Sequence, residues 1–483
     1  MAYYLGIDCG GTFIKAMLLD SVGNILSSSR QNSPIISKKE GYAERDMAKL
    51  WLDCVKVIKT VIAQANISPK QIKSIGISAQ GKGVFLLDKE KKPLGNAILS
   101  SDQRARNIVK NWEKEHIHHW LYPKTYQPLW AGHPVSILRW LKENNPDRYK
   151  NIGTVLMSHD YLRFCLTGEL HCEETNISES NLYNMITKDY DIEITSKLGI
   201  AEIYDKLPPL VKSNQIIGYI TREAAELSGL EVGTPVVGGL FDVVASTLCA
   251  NLTDENKLCA ILGTWHIVSG ITTHFADEQQ RLVHGRYPET DKLIIHDDSP
   301  TSIANLEWFI EQCAPLTYEK INVLVDSVKP ESNSILFIPF LYGSNAGNIK
   351  AGFYGIQSHH TKSDLLRAIY EGVIFSLMTH IENMKKKFPH TQKLHIMGGI
   401  TKSQIWLQML ADITGMTLEI SEIEEPGCLG AILVAMQGIG MDTKCIINKL
   451  TNIKYIEPNK ENYAIYQQKY ESYTKLINAL KTL

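Results

Sequence analysis

Apolar and polar positions alternate between two periods along this chain. Residues 3–8 form an apolar, β-prone run, Gly10 and Gly11 turn it, and residues 13–19 form a second run. Two such runs across a glycine turn predict a hairpin. From 46 to 65 the spacing lengthens. Met47, Leu50, Trp51, Val55, Ile58, Val61 and Ile62 share one helical face, with Asp46 placed to N-cap it. Strand-like runs follow at 72–78 and 84–87.

A similar grammar restarts later. Residues 258–262 are apolar, Gly263-Thr264 turns them, and 267–271 continue. Helical patterns fall at about 303–313 and 362–386. A strand at 394–397, the turn Gly398-Gly399, a helix at 403–413, a strand at 417–420 and a helix after Gly427 complete the half. The layout predicts an α/β chain built from a duplicated unit, with the boundary near 245–255. The expected domains are 1–247 and 248–483.

Length agrees with that division, because 483 residues exceed what one core usually serves. A content of 44% hydrophobic and 21% charged residues excludes disordered and fibrous classes. Lys plus Arg is 50 against 52 Asp plus Glu, so no basic excess calls for nucleic acid or an anionic membrane. Residues 258–276 lack Asp, Glu, Lys and Arg but are too polar for a membrane span. The first twenty residues have no basic leader, and Asp8 interrupts their apolar run, so no secretory signal is read. Nine cysteines without a C-x-x-C pair fit a reducing, cytoplasmic setting. Cys9 is either a reactive thiol or a small residue in a tight turn.

Candidate chemistry gathers at the glycine turns. In Asp8-Cys9-Gly10-Gly11-Thr12, with Lys15 beyond, glycines let backbone N–H groups approach phosphate oxygens, and a strand-end carboxylate can hold Mg²⁺ through water. A plain hairpin turn explains the same residues. Gly263-Thr264 repeats the device at the head of the second half, which suggests a nucleotide phosphate held between two domains. Asp242 stands alone after Gly238-Gly239 in an apolar stretch. A buried carboxylate needs a partner, a metal or a task. It can cap the helix beginning near Val243, act as a general base, or do both. Gly398-Gly399, with Thr401 and Ser403, is a strand–glycine–helix turn suited to a purine or phosphate. Gln80-Gly81-Lys82, Asp102-Gln103-Arg104 and His159-Asp160 supply the donors and acceptors that a polyol needs, or are loop residues.

Together these stretches resemble the FGGY carbohydrate kinases. The similarity runs through DCGGT (8–12), GYAERDMAKLW (41–51), ISAQG (77–81), SDQRA (101–105), HDYLRFCLTGE (159–169), GGLFDVVAS (238–246) and LGTWH (262–266). It continues through NLEWF (305–309), FIPFLYGSNAG (337–347), RAIYEGVIFSL (367–377), MGGITKSQIWLQMLAD (397–412) and EEPGCLGAILVA (424–435). The resemblance implies two actin-like (ribonuclease H-like) domains with ATP in the cleft, and transfer of its γ-phosphoryl to a sugar hydroxyl. Asp8 then lies near Mg²⁺. Gly10, Gly11, Thr12 and Lys15 face the transferring phosphate, Gly263 and Thr264 form the second phosphate turn, and Gly398, Gly399 and Ser403 meet the nucleoside. Asp242 is the catalytic base, and Gln80 and Asp102 lie where the family builds its sugar pocket. Dimers are common among such enzymes, so a homodimer is carried forward, although no interface signal is visible.

Within the family, AQGKG, GNAILSSD, CEETNISESNLYNM, GGLFDVV, GTWH and PFLYGSNAG resemble members acting on the terminal hydroxyl of L-xylulose or 3-keto-L-gulonate. Two departures stand out. Trp265 follows Gly-Thr where many members carry Ser or Ala. Gly81-Lys82 stands where xylulose kinases usually show Met-His and glycerol kinases Arg-Glu. Gly81 is expected to make room, and Lys82 to offer a cation to a keto-acid. The other classes to weigh are an actin-like ATPase that phosphorylates nothing and a sugar sensor without catalysis.

Overall fold

The computed structural model describes residues 2–252, 254–263, 265–421, 423–450 and 452–482. Two α/β units account for them, and both are discontinuous in sequence. The first is Met1–Cys249 with Thr273–Ile294 and Glu424–Leu450. The second is Ala250–Thr272 with Ile295–Ile423 and Thr451–Leu483.

In the first unit the strands are β1 (Tyr3–Cys9), β2 (Phe13–Asp20), β3 (Ile25–Asn32), β4 (Ile72–Ala79), β5 (Ile216–Tyr219), β6 (Pro235–Val237) and β7 (Leu240–Phe241). Their order is β5–β6–β4–β1–β2–β3, with β7 pairing β4. Helix α1 (Met47–Ala65) starts where the pattern placed it, and Asp46 Oδ1 accepts from Lys49 N at 2.9 Å. Every residue of β1 is buried, because β1 lies inside the sheet with both faces covered. It runs antiparallel to β2 and parallel to β4, which sets Asp8 opposite both Lys15 and Ser78. β7 is also parallel to β4, with Phe241 opposite Ala79. The ends of β1, β4 and β7 therefore open at one edge of the sheet.

A late segment covers this early sheet. The helix Pro426–Gly438 buries Gly427 through Met436. A Cβ on Gly6 would collide with the Cys428 carbonyl, and one on Gly76 with the Ala431 carbonyl. These two glycines let the helix backbone sit directly on β1 and β4.

The second unit is built on β8 (Lys257–Leu262), β9 (His266–Thr272), β10 (Lys393–Gly398), β11 (Thr417–Ser421) and β12 (Ile453–Ile456). The order β9–β8–β10–β11–β12 repeats an antiparallel hairpin beside parallel strands. Helix α2 (Lys362–Lys387) is buried over most of its length, and α3 (Gln404–Thr414) packs on it through Tyr370 and Trp406, stacked at 4.1 Å. No helix among the described residues is long and apolar enough to cross a membrane.

Candidate active site

In open α/β sheets, ligands bind beyond the carboxyl ends of parallel strands. In the first unit those ends carry Asp8-Cys9, Ala79-Gln80 and Phe241-Asp242. Asp8 is nearly buried, and Ser78 Oγ donates to its Oδ1 at 2.7 Å. Lys15 Nζ stands 4.0 Å from Asp8 Oδ2 and donates to Glu425 Oε2 at 2.6 Å. Burial raises the Asp8 carboxyl above its ordinary value, although Lys15 and Ser78 oppose the shift. Burial pulls Lys15 down, but Asp8 and Glu425 outweigh it and hold the ammonium above its ordinary value. A side chain on Gly427 would strike the Asp8 carboxylate, so the Pro426–Gly438 helix begins directly against it.

Asp242 is the first residue of the helix Asp242–Cys249, straight after β7. Gly239 has φ +88°, and a Cβ there would collide with the Ile77 carbonyl; only glycine brings the chain to this point. Phe241 N donates to Thr175 Oγ1 at 2.9 Å and fixes the approach. Burial and then the like charge of Asp8 push the Asp242 carboxyl up to about 8, against the Val243 N–H and the Lys82 ammonium. A carboxyl in that range is poised for proton transfer near neutral pH.

Gln80 follows β4. Its N donates to Cys9 O at 2.9 Å, and its side chain lies beside Gly11. Gly10, Gly11 and Thr12 form the β1–β2 turn, with Gly11 and Thr12 exposed. Lys82 adopts φ +62°, its N donating to Asn176 Oδ1 at 3.0 Å. Its Nζ pairs with the fully buried Glu179 at 3.1 Å and lies 5.6 Å from the centre of the Phe241 ring. The room expected from Gly81 is taken by that same ring, which a Cβ would overlap.

Asp102 is fully buried, and both its oxygens are engaged. Oδ1 accepts from Arg104 N at 2.8 Å and Nε at 2.9 Å; Oδ2 accepts from Ala43 N at 2.7 Å and Arg104 Nη2 at 2.9 Å. A carboxylate has about four acceptor positions, so a sugar hydroxyl would have to displace one of these bonds. His159 and Asp160 are fully buried as well. Asp160 accepts from Met157 N and pairs with Arg163 at 3.0 Å, which locks the helix Ser158–Thr167. Cys9 lies on β1 rather than in the turn; it is fully buried, and burial raises its thiol, which makes it inert.

In the second unit, parallel pairing sets Leu262 opposite Gly398, so the Gly263 turn and the Gly399–Lys402 turn leave adjacent strand ends. Gly398 has φ +97°, and a Cβ would collide with the Leu262 carbonyl. Gly263 N donates to the carbonyl of the half-buried Trp265 at 3.1 Å. Thr264 lies outside the described residues. Ser403 caps α3, accepting from Trp406 N at 3.3 Å and donating to Asn322 Oδ1 at 2.9 Å. Its hydroxyl already serves the fold.

Four site residues escaped the sequence reading: Ser78, Glu179, Glu425 and Arg45. Glu425 had a signal, a carboxylate immediately before a proline-led, apolar helix. Arg45 sits in the quoted ERDM stretch, yet nothing local says that its side chain turns inward.

The two units, each presenting glycine turns at parallel strand ends, are those of a sugar kinase. Residues 3–249 match the N-terminal domain, and residues 258–439 the C-terminal domain, of the FGGY family of carbohydrate kinases. The chain belongs to that family, whose members transfer phosphate from ATP to a sugar. Over full length it is similar to a probable L-xylulose kinase of Pasteurella multocida, 59% identical over 486 residues with 100% of both chains covered. It is 50% identical over 484 residues to the L-xylulose/3-keto-L-gulonate kinase of Escherichia coli, covering 99% of this chain and 97% of that one. Its fold is that of ligand-bound xylulose kinase from Lactobacillus acidophilus, with TM-score 0.93, 24% identity and coverage of 100% and 99%.

Proposed function

We propose that this kinase phosphorylates the terminal hydroxyl of L-xylulose, giving L-xylulose 5-phosphate, with 3-keto-L-gulonate as the other candidate acceptor. The sugar rests on relatives bearing those names at 59% and 50% identity. The chemistry rests on one observation: Asp242 heads its helix beside Asp8 and Lys82, with its carboxyl raised to about 8.

The hydroxyl oxygen attacks the γ-phosphorus in line. An O–P bond forms, the bond to the β-phosphate oxygen breaks, ADP leaves, and the hydroxyl proton passes to Asp242. Gln80 and Lys82 hold the sugar, and Asp102 joins them where a sugar hydroxyl displaces one of its bonds to Ala43 or Arg104. Gly10, Gly11, Thr12 and Lys15 face the transferring phosphate; Gly263, Thr264, Gly398 and Gly399 hold the rest of the nucleotide, with Ser403 beside them at the start of α3 and its hydroxyl kept by the helix cap. Asp8 suits Mg²⁺, which takes one or two carboxylates and keeps its waters, and Oδ1 is oriented by Ser78 for that purpose. The ion, when bound, neutralises charge on the phosphate oxygens. We place the enzyme in the cytoplasm, consistent with nine cysteines of which none forms a disulfide, and expect a homodimer.

The test is ADP release measured against ketopentoses, aldopentoses, pentitols, glycerol and 3-keto-L-gulonate. L-Xylulose, or the keto-acid, should give the highest kcat/KM. ADP release that no acceptor stimulates would favour an actin-like ATPase, and sugar binding without turnover would favour a sensor.

A further inference from the structure

The β1–β2 turn rests on a buried cation. Arg45 is 1% exposed, yet among the described residues it forms no ion pair with a carboxylate, and its Nε has no hydrogen-bond partner. Its bonds go to neutral oxygens. Nη1 donates to Gly10 O at 3.1 Å; Nη2 donates to Gly11 O and, at 3.2 Å, to Ser33 O. Nη1 also approaches Cys9 Sγ at 3.7 Å. Burying an uncompensated charge is unfavourable, so the arrangement calls for an anion nearby or a task.

The peptide geometry supplies the task. In a trans peptide, C=O and the following N–H point in opposite directions. Drawing the carbonyls of Gly10 and Gly11 toward Arg45 therefore turns the N–H groups of Gly11 and Thr12 away from it, on the exposed side of the turn. Successive N–H groups aimed one way form an anion-binding concavity, and a guanidinium behind the same peptides adds positive potential. Lysine could not replace it fully, because one ammonium lacks the planar fork that spans two carbonyls.

The geometry points to Arg45 as the positioning residue of the phosphate turn, presetting the Gly11 and Thr12 N–H groups for the γ-phosphoryl of ATP. This rests on the reading that the turn meets the transferring phosphate. The residue touches neither nucleotide nor sugar; it acts through the turn.

Binding separates this role from general support of the fold. Affinities for ADP and for a non-hydrolysable ATP analogue would be measured with Mg²⁺ on the parent, Arg45→Met and Arg45→Lys, alongside kcat and the KM for sugar. In the parent, the analogue should bind more tightly than ADP; if it does not, the reading of the turn itself fails. In Arg45→Met the preference for the analogue should fall about tenfold and kcat about ten- to a hundredfold. ADP affinity and sugar KM should stay within about twofold. Arg45→Lys keeps the charge and should lose at least about threefold in the same preference. This second variant decides the matter if the Met variant does not fold. An unchanged preference in either folded variant, or equal losses for ADP, analogue and sugar, would overturn the inference.

Discussion

Replacing Asp242 with asparagine should stabilise the protein while disabling it. The folded state holds this carboxyl at about 8, against an ordinary value of 3.8. Between those values the unfolded chain ionises and the folded one resists. A group with a raised carboxyl pKa therefore withdraws stability progressively as pH rises from about 4 to 8. At pH 7 the gap corresponds to about 4 kcal/mol at full weight. The side chain is only part-buried, and screening brings this to roughly 2 kcal/mol. Asparagine has the same shape and no charge, so it escapes the penalty. A melting-temperature increase of about 4 °C at pH 8 is expected, on the order of 2 °C per kcal/mol for a unit of this size, shrinking toward zero near pH 4. Turnover at saturating sugar should drop by roughly 10²–10⁴, the usual reach of general-base catalysis. An asparagine variant that melts below the parent at pH 8, or whose advantage is flat with pH, refutes the electrostatic argument. Near-normal turnover refutes the base.

Three other substitutions probe the surroundings. Asp8→Ala should raise the Mg²⁺ concentration needed for half-maximal rate by at least about tenfold while leaving sugar KM nearly unchanged; a Mg²⁺ titration that overlays the parent would remove Asp8 from the metal. Glu179→Gln removes the buried carboxylate that pairs with Lys82 Nζ at 3.1 Å, so kcat/KM for 3-keto-L-gulonate should rise relative to L-xylulose by about tenfold. An unchanged ratio would show that Lys82 does not face the acid's carboxylate. Gly76→Ala forces a methyl into the Ala431 carbonyl and should destabilise the first unit by about 1–3 kcal/mol, read as a lowered melting temperature; a neutral result would mean that the helix can shift freely on β4.

Local chemistry was legible in the sequence because it is written in neighbouring residues. Two apolar, β-prone runs across a glycine turn predicted β1 and β2, and the structure has them at Tyr3–Cys9 and Phe13–Asp20. The 3.6-residue spacing after Asp46 predicted α1, and the lone carboxylate after Gly238-Gly239 singled out Asp242 as both a helix start and a base candidate. Glycine pairs marked turns because few other residues accept φ +88° or +97°, as Gly239 and Gly398 do. What no local pattern carries is which distant segments meet. Glu425 reaches Lys15 across 410 positions, Glu179 reaches Lys82 across 97, and Arg45 turns inward to hold carbonyls 34 and 35 positions earlier. A continuous division of the chain could not anticipate that the helix Pro426–Gly438 closes the first unit's sheet. Only the packed sheet decided these partners. Parallel strands bring their ends together regardless of separation in sequence, and burial then requires each charge gathered there to find a partner wherever the chain supplies one.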